Sequence, residues 1–184
     1  FIFPYIMPSW AIALFWKNMF ANVNVQGCGA NGILAAIFGI YAPSWLVFGG
    51  IPIGITLGIH YAPFAYILIG GILKNMDSNL EEAATILKTP RKTIIMKITL
   101  PIVAPAILNT FLLVFSSAIS AYAVPVFLGT TVDYMTLTTS MTYFNGTYPA
   151  QGYAVGILLV ALGLIVLAIN NILTGKRKSY TTVT

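Results

Sequence analysis

The sequence predicts an all-α, polytopic membrane helix bundle, and three observations lead there. Of 184 residues, 58% are hydrophobic and only 7% charged, against about 25% charged in an ordinary soluble domain. The nine basic and four acidic residues leave three long stretches without charge, 18–73, 98–132 and 134–175. Each is longer than the roughly 20 residues that cross a bilayer as helix. The charges themselves are clustered: eight fall between Lys74 and Lys97, three form Lys176-Arg177-Lys178, and Lys17 and Asp133 stand alone. This pattern excludes a soluble enzyme.

The net charge of +5 resolves by position. The segment Lys74 to Lys97 holds five bases and three acids, the basic triplet adds three more positive charges, and Lys17 and Asp133 cancel. By the positive-inside rule both basic segments are cytoplasmic, so no nucleic-acid partner is needed to explain the excess. The single cysteine, Cys28, has no partner for an internal disulfide and reads as a small apolar residue. The chain opens on Phe1 and is apolar at once, without the charged region and small-residue cleavage site of a signal peptide. It reads as a fragment that starts inside or at the edge of a span.

The elements follow in order. Residues 2–20 are apolar apart from Ser9, Lys17 and Asn18 and form a first span, with Pro4 and Pro8 placed early, where a helix tolerates them. Gln26-Gly27-Cys28-Gly29-Ala30-Asn31-Gly32 is loop chemistry. Ile33 to Tyr41 is too short to cross and, followed by Pro43 and Trp45, suits a helix at the membrane interface. Residues 46–73 form the second span. Gly50, Gly54 and Gly58 are spaced by four there, a helix face that a neighbouring helix can approach closely. His60 lies inside this span, either as a functional ionisable group or as a neutral histidine hydrogen-bonded within the bundle. Residues 101–124 form the third span. An external loop with one short helix follows over 132–151, and 152–173 is the fourth span, with Gly152 and Gly156 again four apart. Spans one and three run outward, spans two and four inward, and residues 1–175 make one transmembrane domain with a basic tail at 176–184.

The cytoplasmic segment 74–100 is more than a connector. Ser78 with Glu81 three residues later is a capping box, and Lys88 closes the helix in accord with its dipole. Leu80, Ala83, Ala84 and Leu87 form an apolar stripe. Thr89 can then cap a second helix with Pro90 at its first position, on which Ile94, Ile95 and Ile98 face one way. The small alanines admit close contact by another surface. On residue chemistry alone, this helix pair docks a partner, lies on the membrane surface, or packs under its own bundle.

Glu82-Ala83-Ala84, followed after 13 residues by Ile98-Thr99-Leu100-Pro101 and then Pro105, resembles the EAA loop of permease subunits in ATP-binding-cassette importers of the type I, maltose-permease-like fold. The pattern covers about 25 residues and is highly specific at this spacing; Leu80 and Glu81 also suit its usual approach. The resemblance implies a coupling helix that sits in a groove of an ATP-hydrolysing subunit. Docking residues would be Glu81, Glu82, Ala83, Ala84, Leu87, Lys88, Thr89 and Arg91, with Pro90, Leu100, Pro101 and Pro105 setting the loop's geometry. The chain departs from the family at Lys88-Thr89, where Gly-Ala is usual. Lysine in a positive-φ turn costs on the order of 1 kcal/mol relative to glycine. Either the turn differs here, capped by Thr89 and Pro90, which is the preferred reading, or Lys88 contacts the partner.

Softer matches, Pro4-Tyr5-Ile6-Met7-Pro8, Tyr61-Ala62-Pro63-Phe64 and Ala123-Val124-Pro125-Val126-Phe127-Leu128-Gly129, are similar to permeases of the ferric-iron, polyamine and aminoethylphosphonate group. The resemblance implies a permease of the bacterial cytoplasmic (inner) membrane that performs no bond chemistry and binds no cofactor or metal of its own. ATP and Mg would sit on the ATPase subunits, and the sequence has no Gly-x-x-x-x-Gly-Lys-Ser/Thr run. Its other partners would be a second permease half, fused or separate, and an external solute-binding protein that touches residues 21–45 and 130–150. Substrate-pathway candidates are the polar span residues His60, Asn109, Ser116, Ser117, Ser120 and Tyr122. The cargo would be ferric iron, or alternatively a polyamine or phosphonate. A secondary transporter needs an intramembrane carboxylate or a broken helix for ion coupling, and Asp133 is the only acid outside the cytoplasmic segment. A membrane enzyme needs a cluster of His, Asp or Glu.

Overall fold

A computed structural model describes residues 3–74, 86, 88 and 90–175. All regular structure among the described residues is helical. The elements are α1 (Phe3–Ile6), α2 (Ser9–Phe20), α3 (Ile33–Phe38), α4 (Ser44–Val47), α5 (Gly50–Lys74), α6 (Arg91–Ile94), a π-turn (Ile95–Thr99), α7 (Leu100–Ile119), α8 (Ala123–Leu128), a 3-10 turn (Thr130–Val132), α9 (Leu137–Thr147) and α10 (Pro149–Gly175). Three helical stretches among the described residues, Ser44–Lys74, Leu100–Ile119 and Pro149–Ile172, are long and apolar enough to cross a membrane. The 20 residues of α7 rise about 30 Å at 1.5 Å each, the thickness of a hydrocarbon core.

The first expected span is different. Pro8 lacks a backbone N–H and takes ψ 138°, so 3–20 divides into α1 and the 12-residue α2, about 18 Å long and short of a full crossing. Proline acted here as a breaker, not as a tolerated early residue. The third span also ends sooner than expected. Helix α7 stops at Ile119, where Ser120 Oγ donates to the carbonyls of Ser116 (2.9 Å) and Ser117 (3.2 Å), and residues 123–128 form the separate α8.

The chain divides into two compact units, 1–63 with 116–163, and 64–115 with 164–184. In the first, α2 packs on α8 as well as on α3 and α4. Ala13, Ile53, Leu57, Val124 and Leu128 form one buried cluster, flanked by Trp16, Tyr61 and Phe127. A second gathers Ala21, Val25, Cys28, Ala42, Val47 and Phe48, and Cys28 is there a free buried thiol. Polar bonds close the loop between α2 and α4. Trp16 Nε1 donates to Leu46 O (2.9 Å), and the fully buried Asn22 donates to Ala42 O (2.9 Å) and accepts from the Asn24 N–H (3.1 Å). Gly49 joins α4 to α5 at φ 106°, a backbone that favours glycine, and its N–H donates to Leu128 O at 2.7 Å.

The glycine spacings have unequal outcomes. A Cβ on Gly152 would meet Asn145, and one on Gly156 would lie 3.3 Å from Met141, so this pair does admit α9 against α10. On α5 only Gly50 is covered, by the Tyr134 ring; Gly54 and Gly58 have open space where a Cβ would be. The close helix approach expected on that face is therefore not made by this chain's described residues.

In the second unit Ile94, Val103, Thr110 and Val166 are buried, and the Phe111 and Phe115 rings stack 6.0 Å apart. Helix α10 exposes Ile157, Val160, Leu164, Ile165 and Leu167, each more than half uncovered. An apolar surface this continuous has no place in water and is the surface a bilayer requires.

Candidate coupling turn and polar cluster

The loop predicted to couple is described at Ile86, Lys88 and from Pro90 onward; Leu80, Glu81, Glu82, Ala83, Ala84, Leu87 and Thr89 lie outside the described residues. Lys88 has φ 53°, left-handed, at the position where the family pattern carries glycine. The preferred expectation of a different turn is thereby corrected: the chain keeps the left-handed turn with lysine in it, at a cost on the order of 1 kcal/mol relative to glycine. Pro90 follows with φ −62° and ψ 138° and is the N-cap of α6, not its first helical residue as expected. Its carbonyl accepts the Thr93 (2.8 Å) and Ile94 (3.2 Å) N–H groups. Lys88, Pro90, Arg91 and Lys92 are exposed. Ile86 is helical and 81% exposed, an apolar side chain held outward two residues before an exposed cation.

From Arg91 the helix runs without interruption to Ile119. Pro101 removes one backbone donor and its ring crowds the carbonyl four residues back, at Lys97; the widened π-turn at Ile95–Thr99 is where the helix accommodates it. Pro105 is carried inside α7. Sequence periodicity missed this turn. Ile94 is buried while Ile95 is half exposed, so the two do not face one way as expected.

The pathway candidates are only partly brought together. His60 Nδ1 lies 3.1 Å from Pro4 O; a carbonyl can only accept, so Nδ1 carries the proton. The His60 ring lies edge-on to Tyr61 at 5.0 Å and tilted to Tyr5 at 6.0 Å. Tyr61 Oη donates to Ser117 O at 3.3 Å, linking α5 to the end of α7, where Ser116, Ser117 and Ser120 share the bonds already described. Tyr122, 46% exposed, is the N-cap of α8. Asn109 is half-buried and belongs to the second unit. Tyr61 was missed by sequence reasoning, although a tyrosine in an apolar span is itself a signal, because its hydroxyl needs a partner. Thr56 was missed as well: it is fully buried, and among the described residues its hydroxyl has no hydrogen-bond partner. Beside Pro4, a cavity of about 280 Å³ is lined by Phe3, Pro4, Met7, Ile12, Phe15 and Ile59. Its wall is wholly apolar and unsuited to an ion.

The fold class and the exposed apolar helices establish a membrane protein; comparison with known families decides which. The model of the family described as binding-protein-dependent transport system inner membrane component matches residues 1–179. The chain belongs to that family. As an inner membrane component of this transport family it is a multi-pass bacterial inner-membrane protein, and the family is one of transport subunits, not enzymes. It is 29% identical over 99% of its length to a candidate ferric transport system permease protein, FbpB 1, of Haemophilus influenzae, covering 28% of that protein. It is 28% identical over 99% of its length to the ferric transport system permease protein FbpB of Actinobacillus pleuropneumoniae, covering 26% of it. To the sulfate transport system permease protein CysT of Salmonella typhimurium it is 25% identical over 92% of its length, covering 59% of that protein. The chain thus spans about a quarter of the length of its ferric relatives.

Proposed function

We propose that this chain is part of the permease of an ATP-driven, binding-protein-dependent importer. ATPase subunits dock on the segment 81–91, a second permease half completes the conduit, and an external solute-binding protein delivers cargo to the opposite face. The observation that carries this reading is the family match over residues 1–179, with which the left-handed turn at Lys88 agrees: it is the geometry that glycine would supply in the coupling loop. Catalysis of ATP hydrolysis belongs to the partner. This chain transmits subunit closure through the continuous helical run Arg91–Ile119, so its energetic role is coupling between two sites.

Ferric iron is the proposed cargo, supported by the two ferric relatives. The spans offer hydroxyl, amide and imidazole groups but no carboxylate, which favours passage along a polar conduit over tight coordination of a hard cation. The sulfate relative supports a second reading, an oxyanion cargo. To test the docking assignment, the full-length permease is extracted with its ATPase subunits, and association and ATP-driven uptake are measured in Glu82→Lys. Both should be lost; intact association with intact uptake would overturn the assignment. Uptake of radiolabelled ferric iron against sulfate in proteoliposomes decides between the two cargoes.

A further inference from the structure

Two non-glycine residues among those described have a left-handed backbone, Asp133 and Lys88. Aspartate is at home in that conformation because its short side chain can bond locally. Lysine has no such compensation, and an exposed turn with no other demand is better filled by glycine. A strained position that keeps a long cationic side chain is grounds for assigning that side chain a task.

We propose that Lys88 is the partner-selecting charge of the coupling turn: its ammonium pairs with a carboxylate in the groove of the ATPase subunit, while Ile86 beside it seats on an apolar floor. The inference rests on the docking reading above and goes beyond it by giving one residue a defined role and a defined chemistry in its partner. The apolar contact supplies area and the cation supplies selection, since a misplaced charge opposite Lys88 excludes the wrong ATPase more strongly than a correct one attracts the right one.

An anionic lipid headgroup is the rival for the same charge, and position argues against it. Arg91 lies nine residues before Leu100 on the continuous helical run, about 14 Å at 1.5 Å per residue, and Lys88 precedes that run by three residues of chain. A headgroup layer is only about 5–7 Å deep. Along the run Lys97 falls within that depth, while Arg91, where the run that follows Lys88 begins, falls beyond it.

The test uses the full-length permease in neutral nanodiscs, titrated with its purified ATPase subunit at about 50 and about 300 mM salt. The variants are Lys88→Gly, Lys88→Arg and Lys88→Glu, with Glu82→Lys as reference. Glycine relieves the strained backbone, so weaker binding by Lys88→Gly cannot be blamed on misfolding. At low salt Lys88→Gly should bind roughly 5–20-fold more weakly and Lys88→Glu about 50-fold or more, with Lys88→Arg near the parent; the differences should shrink at high salt. If Lys88→Gly binds as tightly as the parent while Glu82→Lys does not, Lys88 is only a tolerated turn residue: the proposal fails and the docking reading stands. If neither variant weakens binding, the docking reading itself fails. A defect seen only when the nanodiscs contain anionic lipid assigns the charge to the membrane and likewise overturns the proposal.

Discussion

Replacing Asn22 by alanine tests how the loop between α2 and α4 is held. Asn22 is fully buried, gives hydrogen bonds to Ala42 O at 2.9 Å and, longer, to Phe20 O at 3.4 Å, and accepts one from the Asn24 N–H at 3.1 Å. Each bond contributes about 1 kcal/mol net, and stranding a buried partner costs about 1–3 kcal/mol. The Ala42 carbonyl and the Asn24 N–H would both lose their side-chain partner, so the expected loss is about 2–4 kcal/mol. For a chain of this size 1 kcal/mol moves the midpoint by about 2–4 °C, which gives a fall of roughly 5–15 °C in a thermal melt of the detergent-extracted protein followed by circular dichroism. The control is Asn24→Ala, an exposed side chain whose backbone N–H alone makes the bond; it should shift stability by less than about 0.5 kcal/mol. Equal melting of Asn22→Ala and Asn24→Ala would refute the claim that one buried amide organises this loop.

The same melt checks four further outcomes. Gly49→Ala meets no steric obstacle, so a loss of about 1–3 kcal/mol would measure the φ 106° backbone alone. Leu128→Ala empties a fully buried site between α2 and α8 and should cost about 2–5 kcal/mol. Gly152→Leu drives a side chain into Asn145 and should cost about 1–3 kcal/mol, whereas Gly54→Leu, pointing into open space, should stay within about 0.5 kcal/mol. His60→Phe keeps the ring contacts with Tyr5 and Tyr61 but loses the bond to Pro4 O; a loss of about 1 kcal/mol is expected, and no change would mean that His60 does not tie α1 to α5.

Three of the four expected spans were legible because hydropathy is a sum over about 20 residues and survives local errors. Local punctuation was harder. Pro4, Pro8, Pro63, Pro101 and Pro105 look alike in sequence, yet Pro8 breaks its helix, Pro63 and Pro105 are carried inside theirs, and Pro101 is preceded by a π-turn. What separates them is whether neighbouring segments hold the chain in line, which no local pattern encodes. The glycines repeat the lesson: spacing by four is the same on α5 and α10, but the element that covers them differs. At the candidate site, the departure at Lys88 was visible as a residue type, while its left-handed backbone was not. Tyr61 was legible in principle from the need of a hydroxyl in an apolar span; the bond to Ser117 O required the fold.

The π-turn at Ile95–Thr99 has a further consequence. A π-turn holds one residue more than the α-turn it replaces, and one residue is about 100° of helical phase. A helical wheel drawn through the run at a constant 100° per residue therefore misplaces the exposed basic residues before the turn relative to the apolar face after it. Deleting a single residue within 95–99 would return the run to regular α-helix and leave Arg91 and Lys92 facing as they do now around the axis of α7, whereas the same deletion elsewhere in the run would swing them by about 100°.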